Sequence, residues 1–241
     1  MATQNVTASL QGRVGLFSSG VTNWLSQVRN ATTGNSANTF TSSSLQLQAI
    51  RATLSSGRSG TTGVLYRTFL FFDTSSVPGT ITSANLQIYG YSSTSSDAFI
   101  VKSTAWGGNG STTTLTTAMY NDLDFSTTYS NNSISNWSTS TTTPNQFGVN
   151  GNAVNAMNND GYDGYLNVAL INYSFDYGST GSGTTPINPT NVSSGVRFKN
   201  TTYPIRLVIT YTPGYANDII GVNPGKVLGV SEGDILEVIG V

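Results

Sequence analysis

Eleven carboxylates carry whatever acid–base chemistry this chain could do, because it has no histidine and no cysteine. Thiolate catalysis, zinc sites, disulfides and His-based proton transfer are thereby excluded. Two acidic pairs have suggestive spacing. Asp122 and Asp124 flank Leu123, and on a strand they would share one face. Paired carboxylates of that kind could serve glycoside hydrolysis or hold a hard cation. Solvated loop residues are the ordinary reading of such aspartates. The stretch Asn158-Asn159-Asp160-Gly161-Tyr162-Asp163-Gly164 sets Asp160 and Asp163 around a glycine, as a calcium loop does. It lacks the closing bidentate glutamate, and a tight Asp-Gly turn competes with it. There is no Gly-rich phosphate loop and no nucleophile elbow. The expectation is a protein that is not an enzyme and has no cofactor, calcium being the one candidate.

Aromatic side chains are the second chemical resource, since they can stack on the CH faces of sugars. Trp106, followed by Gly107-Gly108-Asn109-Gly110, is the leading candidate. A plug in a core or between subunits is the competing role for it. Tyr162, Tyr165, Tyr173 and Tyr177 form a second group beside a Ser/Thr/Gly-rich stretch at 178–195. Host glycans are the partner that Trp106, Tyr162, Tyr165 and Tyr177 would recognise.

The C-terminus repeats one pentapeptide three times: Asp218-Ile219-Ile220-Gly221-Val222, Lys226-Val227-Leu228-Gly229-Val230 and Glu237-Val238-Ile239-Gly240-Val241. Short, nearly all-apolar, β-branched runs read as strands buried on both faces. The nine aliphatic side chains (Ile219, Ile220, Val222, Val227, Leu228, Val230, Val238, Ile239 and Val241) would contribute roughly 18 kcal/mol if buried. Ordering the 15 residues costs roughly 22 kcal/mol. The tail therefore gains its order by docking, on other copies of itself or on a larger assembly. A hairpin folded back on the body is the alternative.

Composition agrees with a displayed module. Only 9% of residues are charged, against about 25% in ordinary soluble domains. Twelve Tyr, ten Phe and three Trp in 241 residues argue against disorder. Up to Pro213 nine Lys/Arg face seven Asp, a net of +2; beyond it one Lys faces four acids, a net of −3. Neither segment has the clustered basic residues of a nucleic-acid partner or a membrane-surface patch. No secretory leader is expected from residues 1–5, and no apolar run reaches membrane-spanning length. A polar, weakly charged surface without a secretion route fits a virion protein made in a host cytoplasm.

These groups must be positioned by strands. Leu45–Ile50 and Ala84–Tyr91 alternate apolar with polar residues, and Val64–Phe72 is longer and more apolar, as suits a central strand. Ala98–Lys102, Tyr165–Tyr173, Val196–Lys199 and Ile205–Tyr211 complete the set. Turn residues separate them at Pro78-Gly79, Asn109-Gly110, Asn150-Gly151, Asp160-Gly161 and Tyr203-Pro204. Short helices are expected only at Asn152–Met157 and around Thr22–Val28. The fold class is all-β, an antiparallel β-sandwich or jelly roll with a short C-terminal tail of strand repeats. Residues 1–213 form the body, with 1–40 read as a candidate extension, and 214–241 form the docking tail. Within Val64–Phe72, Phe69 and Phe71 take one face and Leu70 and Phe72 the other. Arg67 is the odd member, either ion-paired with Asp73 or another aspartate, or snorkelling from an edge.

Tyr66-Arg67-Thr68-Phe69-Leu70-Phe71-Phe72-Asp73-Thr74-Ser75-Ser76-Val77-Pro78, followed by Ile81-Thr82-Ser83-Ala84-Asn85-Leu86-Gln87-Ile88-Tyr89, resembles a β-sandwich family of bacterial surface and phage structural proteins, the DNRLRE type. Ala105-Trp106 and the closing Tyr203–Tyr211 strand resemble it as well. The likeness is specific over 64–91 and loose over 40–213. It implies a carbohydrate-binding-module-like body, and the Gly-Val repeats resemble tails of phage virion proteins. The expectation is a virion surface protein, a capsid decoration or a head or tail fibre. It would contact other virion proteins as a homo-oligomer, with a trimer among the options. A carbohydrate-binding module is the alternative.

Overall fold

The computed structural model describes residues 1–40, 45–58, 60–95, 97–158, 164–178, 192–198, 202–214, 226–227 and 230–231. In chain order the strands are β1 (Ala2–Thr7), β2 (Leu10–Ser19), β3 (Ser36–Thr39), β4 (Leu45–Gly57), β5 (Gly60–Asp73), β6 (Gly79–Ile88), β7 (Gly90–Thr94), β8 (Ala98–Ser103), β9 (Leu123–Thr128) and β10 (Asn145–Gly148). The helix α1 (Gly151–Asn158) follows, then β11 (Tyr165–Asn172), β12 (Val192–Phe198), β13 (Arg206–Pro213), β14 (Lys226–Val227) and β15 (Val230–Ser231). The body is an all-β antiparallel sandwich, as the alternation of its strands requires.

One sheet has four strands in the order β1-β13-β6-β10. The other has nine and branches at β5. Along one edge β5 pairs with β2 from Thr62 to Phe71. Along the other it pairs with β4 up to Tyr66 and with β11 from Thr68 onward. Arg67 stands at that fork. β4 continues to β12 and β7, while β11 continues to β8 and β9.

The alternation of β5 feeds two cores. Leu70 and Phe72 face the four-stranded sheet and pack with Leu86, Ile88, Leu207 and Ile209. Phe69 and Phe71 face the other way, with Leu65, Val14, Ala169 and Ile171. Each fully buried side chain of this kind stabilises by about 1.5–3 kcal/mol. The second core is roofed by connecting segments, which bring Trp24, Val28, Trp106, Leu115 and Tyr120. β11 is buried along nearly all its length because it serves both cores.

Residues 1–40 are integral to the sandwich instead of extending from it. β1 pairs with β13 over six residues, and β2 runs the length of β5. The strand expected at Val196 begins at Val192, where it bridges β4 and β7. Both expected helical segments form: α1, and a π-helical turn at Leu25–Arg29. Asn150 caps α1, its Oδ1 accepting from the Asn152 and Ala153 amides at 3.0 and 3.3 Å. Asp73 ends β5 by accepting from the Ser75 amide and hydroxyl at 3.0 and 2.6 Å, the side-chain cap its position predicts.

In the tail, Val227 pairs with Val230 and Lys226 with Ser231. The second pentad thus folds back on itself, where the repeat pattern alone predicts one continuous strand. Among the described residues this hairpin is a sheet of its own. Ile219, Ile220, Val222, Leu228, Val238, Ile239 and Val241 lie outside the described residues.

Candidate functional site

A cleft of about 440 Å³ opens between the ends of β8, β9 and β11 and the side of α1. Tyr165, the first residue of β11, forms one wall. Its half-buried ring stacks on Phe71, with centroids 5.2 Å apart and planes 30° apart. That contact holds the ring in one orientation, as a stacking platform needs. Asn167, two residues on and therefore on the same face, lies deeper and is 4% exposed. Its Nδ2 donates to the Ala105 and Gly108 carbonyls at 2.5 and 3.3 Å. Its Oδ1 has no hydrogen-bond partner among the described residues. A buried acceptor left open in this way is costly unless something else donates to it.

The helix side brings Asn152, Asn155 and Ala156, and β8 brings Lys102. Asn150 and Asn152 both donate through Nδ2 to the Thr128 carbonyl, at 3.0 and 3.2 Å. Those bonds fasten the start of α1 to the end of β9. Lys102 pairs across the strands with Asp124. The Asp124 carboxylate is held by Ser126, through its amide at 2.8 Å and its hydroxyl at 2.6 Å, and by the Thr127 hydroxyl at 2.7 Å. The Ser126 and Thr127 side chains, with the nearby Lys102 charge, keep its pKa below the usual carboxylate value. Asp122 precedes β9, and burial pushes its carboxyl up. The two aspartates thus sit in unlike environments, and Asp124 spends its oxygens on its own turn.

The structure separates the other aromatic candidates. Trp106 is fully buried in the second core, a correction to its candidacy as a sugar platform. Its backbone is left-handed, with φ +61°, and Gly107 and Gly108 follow at +70° and +81°. The glycines that suggest an exposed loop are what fold the indole inward. Tyr177 packs with Tyr173 and Phe99, at centroid distances of 5.4 and 4.6 Å. That group lies just past the far end of β11, about 23 Å from Tyr165 at the rise of a strand. Tyr165 and Tyr177 therefore do not share one ligand site. Tyr162, Asp160 and Asp163 lie outside the described residues.

Arg67 is the side chain whose environment the sequence left open. It is completely buried. Nε and Nη2 donate to the two carboxylate oxygens of Asp176 at 2.8 and 2.7 Å. Nη1 donates to the Tyr120 carbonyl at 2.8 Å, and Nη2 also to the Arg29 carbonyl at 2.7 Å. The guanidinium lies 4.4 Å from the centre of the Tyr120 ring. Burial alone would lower the Arg67 pKa, but the Asp176 charge and its hydrogen bonds raise it above the ordinary value. Burial raises the Tyr120 hydroxyl too, and that hydroxyl donates to the Val28 carbonyl at 2.8 Å. Every polar reach of Arg67 ends on another part of the fold, so the cluster is a structural clamp.

Comparison with protein families and with curated proteins finds no match for this chain. The family likeness therefore rests on the residue pattern at 64–91.

Proposed function

We propose that the chain is a non-enzymatic virion structural protein, a β-sandwich displayed on the particle surface and held there by its C-terminal repeats. The observation that carries this reading is the division of labour along the chain. β13 ends at Pro213 as an interior strand of the four-stranded sheet, between β1 and β6. At β5 and β11, body residues pack on both faces of the nine-stranded sheet. The three apolar pentads follow it in sequence, and among the described residues the second one pairs with itself. Repeated apolar runs that follow a packed core in sequence favour a partner chain, through strand addition or an intertwined oligomer. Ending the chain after Gly214 keeps β13 whole; such a variant should fold yet be missing from assembled particles. Normal incorporation would remove this reading.

The cleft beside α1 supports a second role on the same body, recognition of host glycans. A fixed tyrosine ring beside side-chain amides is the chemistry of sugar binding: an apolar face with a few placed polar groups. A glycan array probed with the protein and with Tyr165→Ala tests it. Equal signals from the two would remove this site.

A further inference from the structure

Resting on that glycan-binding role, we propose that the cleft selects sugars bearing an N-acetyl group. The selective element is Asn167. Its Nδ2 donates to two backbone carbonyls of the loop after β8, those of Ala105 and Gly108. This fixes the amide, so Oδ1 can only accept, and it accepts from nothing among the described residues. A donor that reaches it from the cleft side, on a ligand or on an ordered water, completes it. The surroundings narrow what that donor belongs to. Ala156 and the ring of buried Tyr129 give the cleft an apolar wall, and Lys102 gives it a cationic donor. An acetamido group has three matching parts: an N–H for Asn167 Oδ1, a methyl for the apolar wall and a carbonyl for Lys102. The pyranose face is then left for the Tyr165 ring. A hydroxyl in the same place offers a donor but leaves the apolar wall uncovered.

Two probes separate this chemistry from sugar binding in general. Triacetylchitotriose and cellotriose share one β-linked backbone and differ in the substituent at C2. Calorimetric titration of the full chain should show triacetylchitotriose binding about tenfold more tightly, the scale of one well-made hydrogen bond with modest apolar burial. Tyr165→Ala should lose binding to both. Lys102→Met, on the half-buried rim, should shrink the preference without disturbing the Asn167 loop. Melting temperatures close to wild type would show that both variants remain folded. Equal affinity for the two sugars would overturn the N-acetyl inference while leaving the glycan role intact. Binding to neither would overturn the glycan role and the inference together. Undiminished preference in Lys102→Met and undiminished affinity in Tyr165→Ala would place any binding elsewhere and overturn the site.

Discussion

Arg67 and Asp176 face each other with two parallel hydrogen bonds, 2.8 and 2.7 Å long, and neither side chain is exposed to solvent. Asp176 lies in the π-helical turn Tyr173–Tyr177, while Arg67 sits where the large sheet forks. The same guanidinium reaches the backbone of the turn at Leu25–Arg29 and of the 3-10 turn at Thr117–Asn121. Three irregular segments are thus tied to one strand residue, and they roof the second core.

Removing one partner leaves the other charge buried. Asp176→Ala or Arg67→Met should each destabilise the body by about 3–5 kcal/mol, measured by denaturant unfolding. The double variant should fall short of the sum of the singles by about 0.5–3 kcal/mol, the range for contacting residues. It should still be less stable than wild type, because the Tyr120 and Arg29 carbonyls lose their donor. Strict additivity would mean that the two side chains act independently.

Trp106 tests the division between core and site. Trp106→Ala should cost about 3–5 kcal/mol of stability, as a large core truncation does. Any glycan affinity of the folded fraction should be unchanged. A stable variant with lost glycan binding would return Trp106 to the role of a platform.

Gly12 gives a sharper steric test. A Cβ there would lie 2.4 Å from a Leu115 methyl and 2.7 Å from the Asn38 carbonyl oxygen, with the Trp106 ring at 3.2 Å. Gly12→Ala should destabilise by about 1–3 kcal/mol, the usual cost of overpacking. A neutral result in a thermal melt would show that β2 and the Trp106 loop can separate at little cost.

Asp122 and Asp124 should titrate on opposite sides of the ordinary carboxylate value. The folded pKa of Asp124 is depressed, chiefly by bonds from Ser126 and Thr127. Its contribution to stability is therefore complete above the unfolded pKa and lost as pH falls through the folded one. Burial raises Asp122, so it works against the fold once ionised, and that penalty grows as pH rises from its unfolded to its folded pKa. Carboxyl-detected NMR should resolve two separate midpoints, Asp124 the lower. Coincident midpoints would contradict the local environments described for them.

Much of this architecture was legible in the chain, for reasons that differ by element. The two-faced pattern of β5 survives because both of its faces meet packed cores. Arg67 was visible as the wrong residue in an apolar run, but its partner was not, since Asp176 lies 109 residues away. β2 was hidden by Gly12 and Gly15, residues that weaken a strand pattern. Packing demands them: a Cβ on Gly15 would come within 2.4 Å of the Tyr66 ring. Trp106 misled because glycine-rich flanks usually mark exposed loops. Among the described residues, Tyr165 alone of the candidate sugar platforms falls in the cleft. Asn167 was missed because a lone polar residue in an apolar strand gives no hint that one of its atoms goes unpaired.

The reading of a displayed body on a docking tail meets its most direct test in particle incorporation. Full-length chain and a chain ending after Gly214 would be supplied separately to assembling particles, and their copies per purified virion counted by mass spectrometry. The account predicts abundant full-length copies, with the shortened chain folded in solution and absent from particles. Equal copy numbers for both would contradict it.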